Sequence, residues 1–251
     1  MKKLEGKVAV VTGGARDIGQ AISIKLAKEG AKVVVNYFDD EKGAEATVNE
    51  IKSLGGEAIS VYADATKQED IDNLVAETKN AFGDKVDILV NVAGGLFARK
   101  TIEEMDVDFY NLLMDVNFKS VFLVTKAFKP MLNKGGSVIN FSSQAARDGG
   151  GPGASLYAAS KGAVMTYTRS LAKEFGPQGI RVNALSPGMI ATKFHDDFTK
   201  DEVRSKVAAG TPLRREGEAN EVADLVAYLA SDEASFLTGN NVDINGGLAF
   251  S

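Results

Sequence analysis

Val8-Ala9-Val10-Val11-Thr12-Gly13-Gly14-Ala15-Arg16-Asp17-Ile18-Gly19 runs from a short β-branched stretch, through a glycine-rich turn, into a segment with helical spacing. Beyond the turn, Ile18, Ala21, Ile22 and Leu26 recur on one helix face, and Gly30 stands where a C-terminal cap belongs. The same alternation continues along the chain. Apolar, mostly β-branched runs fall at Lys32–Asn36, Ala58–Ala63, Asp87–Val92, Ser137–Phe141, Arg181–Leu185 and Val242–Ile244. Between them Glu41–Leu54, Lys67–Phe82, Met105–Met131 and Ser155–Phe175 read as helices, the third ended near Pro130 and the Gly135-Gly136 turn. Strands separated mostly by helices predict an α/β, doubly wound fold, a seven-stranded parallel sheet with helices on both faces. Gly149–Gly153, with Pro152 inside it, reads as a loop at the active end.

Composition narrows the function. The 251 residues are 44% hydrophobic and 25% charged, with neither repeat nor linker-like stretch, so residues 1–251 are expected to form one domain. A formal net charge of −5 disfavours nucleic acid or an anionic membrane as the main partner, because both need a clustered positive surface. Small-molecule chemistry is favoured. The chain has no cysteine, which removes disulfides, thiolate nucleophiles and cysteine-held metals and suits a cytoplasmic location. His195 is the only histidine, so no metal site is expected. Lysines at positions 2, 3 and 7 suggest a signal-peptide start, but the apolar run Val8–Val11 is too short for one, and a soluble, unprocessed protein is expected.

The turn at Gly13–Gly19 lets backbone N–H groups and a helix N-terminus approach a pyrophosphate, as in Rossmann-type dinucleotide sites, although a plain tight βα turn would read the same way. NAD enzymes usually carry an acid at the end of the second strand, where this chain has Asn36. With Arg16 in the glycine loop to meet a 2′-phosphate, NADP(H) is preferred. The other reading leaves Arg16 solvated and lets Asp39 or Asp40 turn inward to hold NAD(H).

Tyr157 and Lys161 lie four residues apart on one helix face, where a cation favours phenolate and is expected to lower the phenol's pKa. Alone, such a pair is weak. Ser143, at the end of the fifth strand, would meet that helix at the carboxyl edge of the sheet, where ligands bind in doubly wound folds; Ser142 is the neighbouring candidate. A hydrolase would need a nucleophile with a base, yet there is no G-x-S-x-G turn, and His195 lies far from Ser143 in sequence.

Thr12-Gly13-Gly14-Ala15-Arg16-Asp17-Ile18-Gly19 resembles the T-G-x-x-x-G-x-G turn of the short-chain dehydrogenase/reductase family, with Asp17 in place of the middle glycine and read as a helix cap. Asn91-Val92-Ala93-Gly94 resembles the family's N-N-A-G, with Val92 replacing the second Asn. Asp64 resembles its adenine contact, Pro187-Gly188 with Thr192 its nicotinamide border, and Asn245-Gly246-Gly247 its C-terminal turn. The resemblance runs from about Lys7 to Gly247. It implies a catalytic set of Asn117, Ser143, Tyr157 and Lys161, with Asn117 acting through a main-chain-held water. It also implies a cofactor site of Gly13, Arg16, Asp17, Ile18, Gly19, Asn36, Asp64, Asn91, Ala93, Gly94, Tyr157, Lys161, Pro187, Gly188 and Thr192. A homotetramer pairing the helices Met105–Met131 and Ser155–Phe175 is a further implication. A dinucleotide sensor without chemistry is the rival of another class, but such proteins tend to lose the Tyr and Lys.

Candidate substrate contacts are Arg99, Gln144, Arg147 and Met189, with Leu96, Phe97, Phe194 and His195 nearby. Two arginines near a carbonyl site suit a keto-sugar acid, such as 4-deoxy-L-erythro-5-hexoseulose uronate, because an arginine fork recognises carboxylates. Two solvated loop arginines would look the same. The alternative substrate is a 3-oxoacyl thioester of acyl carrier protein.

Overall fold

The computed structural model describes residues 2–249. All seven expected strands form: β1 (Val8–Thr12), β2 (Lys32–Tyr37), β3 (Ala58–Tyr62), β4 (Val86–Asn91), β5 (Leu132–Phe141), β6 (Arg181–Pro187) and β7 (Asn241–Ile244). They make one parallel sheet of order β3-β2-β1-β4-β5-β6-β7. The order reverses between β1 and β4, and a crevice opens at such a switch point beyond the strands' carboxyl ends.

Alternation along the strands splits the core in two. Ala9, Val11, Val33, Val35, Ile88 and Val90 face α1 (Asp17–Lys28), α2 (Glu41–Ser53) and, later in the chain, the helix Ala219–Ala230. Val8, Val10, Val34 and Leu89 face the opposite layer, which includes α3 (Gln68–Phe82). Each fully buried aliphatic side chain contributes roughly 1.5–3 kcal/mol, so both layers are held by the period-two pattern of the strands.

The expected helix Met105–Met131 is not continuous. It divides into α4 (Val107–Met114), a π-helical turn at Asp115–Lys119, α5 (Ser120–Phe128) and a 3-10 turn at Lys129–Met131. The π turn widens the helix around Asn117, a device common at functional sites. Gly135 and Gly136 lie inside β5, whose pairing with β4 is irregular there, rather than in a turn before it. After β5 come a short α6 (Ala145–Asp148) and α7 (Ser155–Phe175), which keeps the expected limits. Beyond β6 lie α8 (Lys193–Phe198), α9 (Asp201–Gly210) and α10 (Ala219–Ala230). Among the described residues, no helix is long and apolar enough to cross a membrane.

Candidate active site

A cleft of about 790 Å³ runs along the carboxyl edge of the sheet, from the glycine turn and Asp64 at one end to Ser143, Tyr157 and Phe194 at the other. Ile18 and Gly19 line it with the first turn of α1, where the helix dipole favours an anion. Gly19 is obligatory, since a Cβ there would lie 1.9 Å from the Gly13 carbonyl oxygen. Gly13, Ala93, Gly94, Pro187, Gly188 and Thr192 also line the cleft. Asp64 lines it too, its carboxylate accepting from the Thr66 N–H at 2.9 Å and hydroxyl at 2.7 Å. Thr12, which opens the glycine turn and was given no role of its own from sequence, has its Oγ1 accepting from the Val92 and Ala93 N–H groups at 3.1 and 3.2 Å, and so ties the two turns together. Its signal was its place directly before the glycines.

Asn36 lines the cleft as expected, but its side chain is already bonded to the main chain. It is buried; its Oδ1 accepts from the Gly13 N–H at 3.3 Å, and its amide nitrogen lies 3.0–3.4 Å from the carbonyls of Tyr37, Val61 and Ala63. It braces the glycine turn and lines the cleft beside Tyr37, at the end of β2, and Phe38 and Asp39 beyond it. Asn36→Asp is therefore not expected to reverse cofactor preference. A carboxylate facing those carbonyls loses the donated bonds, so a loss of stability of about 1–3 kcal/mol is expected, with both cofactors weakened together. Thermal melts beside NADPH and NADH titrations check this; a reversed preference at unchanged melting temperature would refute it.

Asp17 is not the helix cap either. It occupies the first helical position at φ 51°, a left-handed backbone suited to the glycine it replaces, and its Oδ1 accepts from the Lys193 N–H at 3.1 Å. It thus tethers the start of α8 to the glycine turn. Asn91 lies behind the cleft, where its amide donates to the Asn140 Oδ1 at 2.8 Å and the Thr125 Oγ1 at 3.1 Å. Arg16 lines the cleft and pairs with Asp39 at 3.2 Å, both half-exposed. Such a pair contributes at most about 1 kcal/mol.

At the other end Ser143, Tyr157 and Lys161 come together. Ser143 and Tyr157 both line this end of the cleft, and the Ala145 N–H donates to the Ser143 Oγ at 3.1 Å and fixes it. Ser142 is occupied differently, donating to the Lys161 carbonyl at 2.9 Å. Lys161 is buried, its ammonium 5.9 Å from the Tyr157 ring centre and 2.9 Å from the Phe141 carbonyl oxygen. Gly94 permits this approach, because a Cβ there would lie 2.8 Å from the Lys161 Nζ. Asn117, in the π turn, is buried; its amide donates to the Gly95 carbonyl and its Oδ1 accepts from the Gly95 N–H, each at 2.9 Å.

The charge balance differs from expectation. Burial pushes the Tyr157 phenol above its ordinary pKa, against the opposing Ser143 bond, rather than Lys161 drawing it down. Burial also draws the Lys161 ammonium down to about 8. The phenol therefore holds its proton at neutral pH and the lysine is still largely charged.

Of the expected substrate contacts, Arg99, Gln144 and Met189 line the cleft and Arg147 does not. Arg147 donates to the Asp243 carboxylate at 2.8 Å and the Asn241 carbonyl at 3.0 Å, pinning α6 to β7. Arg99 donates to the carbonyls of Phe198 and Pro152, each at 3.2 Å, bracketing α8 against the Gly149–Gly153 loop. Gln144 is buried and accepts from the Asn245 amide at 2.7 Å.

A doubly wound parallel sheet whose cleft joins a glycine turn to a Tyr–Lys pair is the architecture of an NAD(P)-dependent oxidoreductase. A family model described as Enoyl-(Acyl carrier protein) reductase matches residues 13–249. The chain is 38% identical to a 3-oxoacyl-[acyl-carrier-protein] reductase of Synechocystis, over 99% of each chain. It is 39% identical to glucose 1-dehydrogenase 2 of Bacillus subtilis, over 98% of this chain and 96% of that one. A short-chain dehydrogenase of Burkholderia cenocepacia, solved in complex with NADP, superposes with a TM-score of 0.90 at 34% identity, covering 98% of this chain and 99% of that one. The chain belongs to the short-chain dehydrogenase/reductase family, and it is an NAD(P)-dependent oxidoreductase.

Proposed function

We propose that the protein, as one domain, is an NADPH-dependent carbonyl reductase in which Ser143, Tyr157, Lys161 and Asn117 act together at the inner end of the cleft. The observation that carries this reading is the convergence of Ser143, Tyr157 and Lys161 on one end of the cleft, with the Lys161 ammonium 5.9 Å from the Tyr157 ring centre. The Gly13–Gly19 turn and the first turn of α1 fit a pyrophosphate, because the absence of a Cβ at Gly19 leaves room for the tight turn. The bound dinucleotide supplies hydride. Tyr157 donates the proton to the substrate oxygen, Ser143 stabilises the charge that develops there, and Lys161 holds the ribose side of the site. Asn117 fixes Gly95 from the π turn and so keeps the turn opposite Lys161 in place.

NADPH oxidation, followed by absorbance against a panel of ketones, tests the reading. A chain that binds the dinucleotide but turns over no carbonyl would support the sensor instead. The uronate substrate loses the two-arginine fork, because Arg147 is paired with Asp243 outside the cleft and only Arg99 lines it. The relatives' names divide between thioester and sugar substrates and favour neither.

The lysine gives a pH signature. Lys161 is protonated below about 8 and loses its charge above it, whereas Tyr157 stays protonated throughout that range. The kcat/KM for NADPH, which reports the free enzyme, is expected to be level below pH 8 and to fall about tenfold per unit above it. A profile level to pH 10 would contradict this assignment.

A homotetramer in the cytoplasm fits the same reading, since Val107 and Tyr110 on α4 and Phe122 on α5 expose apolar surface. Light scattering at micromolar concentration is expected to give about four chain masses.

A further inference from the structure

We infer that the substrate is a neutral ketone bearing an aromatic ring next to its carbonyl, an inference that rests on the Tyr157 reading above. The wall facing that corner is aromatic. The Phe194 ring centre lies 6.2 Å from that of Tyr157, 5.1 Å from that of His195 and 5.3 Å from that of Phe198. Phe97 lies in the same cleft, 42% exposed, at φ 62°. A bulky side chain in left-handed backbone is a true outlier and persists only where the surroundings impose it. Here the Ala98 N–H donates to the Leu96 carbonyl at 2.7 Å across Phe97, closing a three-residue turn. Gly95 seats the ring, since a Cβ there would lie 3.1 Å from it. The chain thus holds a large apolar ring partly open to the cleft.

The arginines at this end already brace the fold. Arg99 serves two main-chain carbonyls, Arg147 serves Asp243, and Arg204 serves Glu216 and Asp196. Lys161 sits behind Tyr157 against the Phe141 carbonyl. Burial, with Arg204 nearby, draws His195 below its ordinary pKa, so it is neutral at pH 7, and its Nδ1 is engaged with the Thr199 hydroxyl at 3.0 Å. Phe97 and Phe194 offer ring faces and edges, which favour a flat aromatic partner over a saturated ring of equal size. A carboxylate or a phosphate-bearing carrier arm would have to draw Arg99 away from the two carbonyls it brackets, whereas an uncharged substrate leaves that brace in place. Reduction breaks the C=O π bond, forming a C–H bond with the hydride from the bound dinucleotide and an O–H bond with the proton from Tyr157.

The test compares the full chain with NADPH on acetophenone, cyclohexyl methyl ketone, phenylglyoxylate and a 3-oxoacyl thioester. Acetophenone is expected to exceed cyclohexyl methyl ketone in kcat/KM by roughly three- to tenfold, the size of an aromatic contact. Phenylglyoxylate and the thioester should be slower still. Phe97→Leu and Phe194→Leu together should erase the acetophenone advantage, while NADPH affinity measured by fluorescence stays within about twofold and shows that the variant is folded. Equal rates on the two neutral ketones, an advantage that survives both substitutions, or a best rate on phenylglyoxylate or the thioester would overturn the aryl-ketone assignment and leave the carbonyl-reductase reading standing. No NADPH oxidation with any of the four would overturn both.

Discussion

Replacing Tyr157 with Phe is expected to lower kcat by roughly 10²–10⁴-fold while NADPH affinity stays within about twofold, because a positioned proton donor contributes about that much to a reduction. The substitution removes the phenol oxygen but keeps a ring of nearly the same shape against Phe194. Lys161 stays on the Phe141 carbonyl. The loss should therefore appear in kcat and not in cofactor binding, which fluorescence titration and steady-state kinetics separate. Turnover within tenfold of wild type would mean that another group delivers the proton. A matching loss in NADPH affinity would mean that Tyr157 acts mainly by shaping the cleft.

The sheet was legible because each strand carries a period-two pattern that the structure uses: Val33 and Val35 face one layer and Val34 the other. The same period held a signal about Asn36 that the sequence reading did not use. Asn36 shares the face of Val34 and so meets the β3 end, where its amide donates to the Ala63 carbonyl, whereas Tyr37 packs with Val33 and Val35 on the other face. The π turn left no trace in sequence, since one residue of i→i+5 pairing shifts the helical pattern too little to notice. Long-range commitments were equally hidden. Arg147 finds Asp243 and Asp17 finds Lys193 across the fold, and no local pattern announces either contact. The Tyr157–Lys161 spacing was visible, but the direction of the phenol's shift depends on burial, which the tertiary packing around α7 decides.

Cofactor preference rests on what remains at the outer end of the cleft once Asn36 is bonded to the glycine turn. Arg16 is the cation there, and Asp39 holds it at 3.2 Å. The pair is half-exposed and weak, so a 2′-phosphate carrying close to two negative charges competes with Asp39 for the guanidinium. A charge-assisted bond to Arg16 contributes about 1.5–3 kcal/mol, which is roughly ten- to a hundredfold in the ratio of kcat/KM for NADPH over NADH. Arg16→Ala is expected to lower that ratio by this factor. Asp39→Asn is expected to raise it, because it frees Arg16, removes a charge that repels the phosphate, and takes from NADH an acceptor for its ribose hydroxyls. The two substitutions share one contact, so in the double variant the Asp39→Asn gain should shrink to the parts that do not pass through Arg16, the relieved repulsion and the weakened ribose acceptor. Kinetics with both cofactors across wild type, the two single variants and the double variant decide the matter. A wild type that prefers NADH, with Asp39→Asn costing it that preference, would instead make Asp39 the ribose ligand and Arg16 its support.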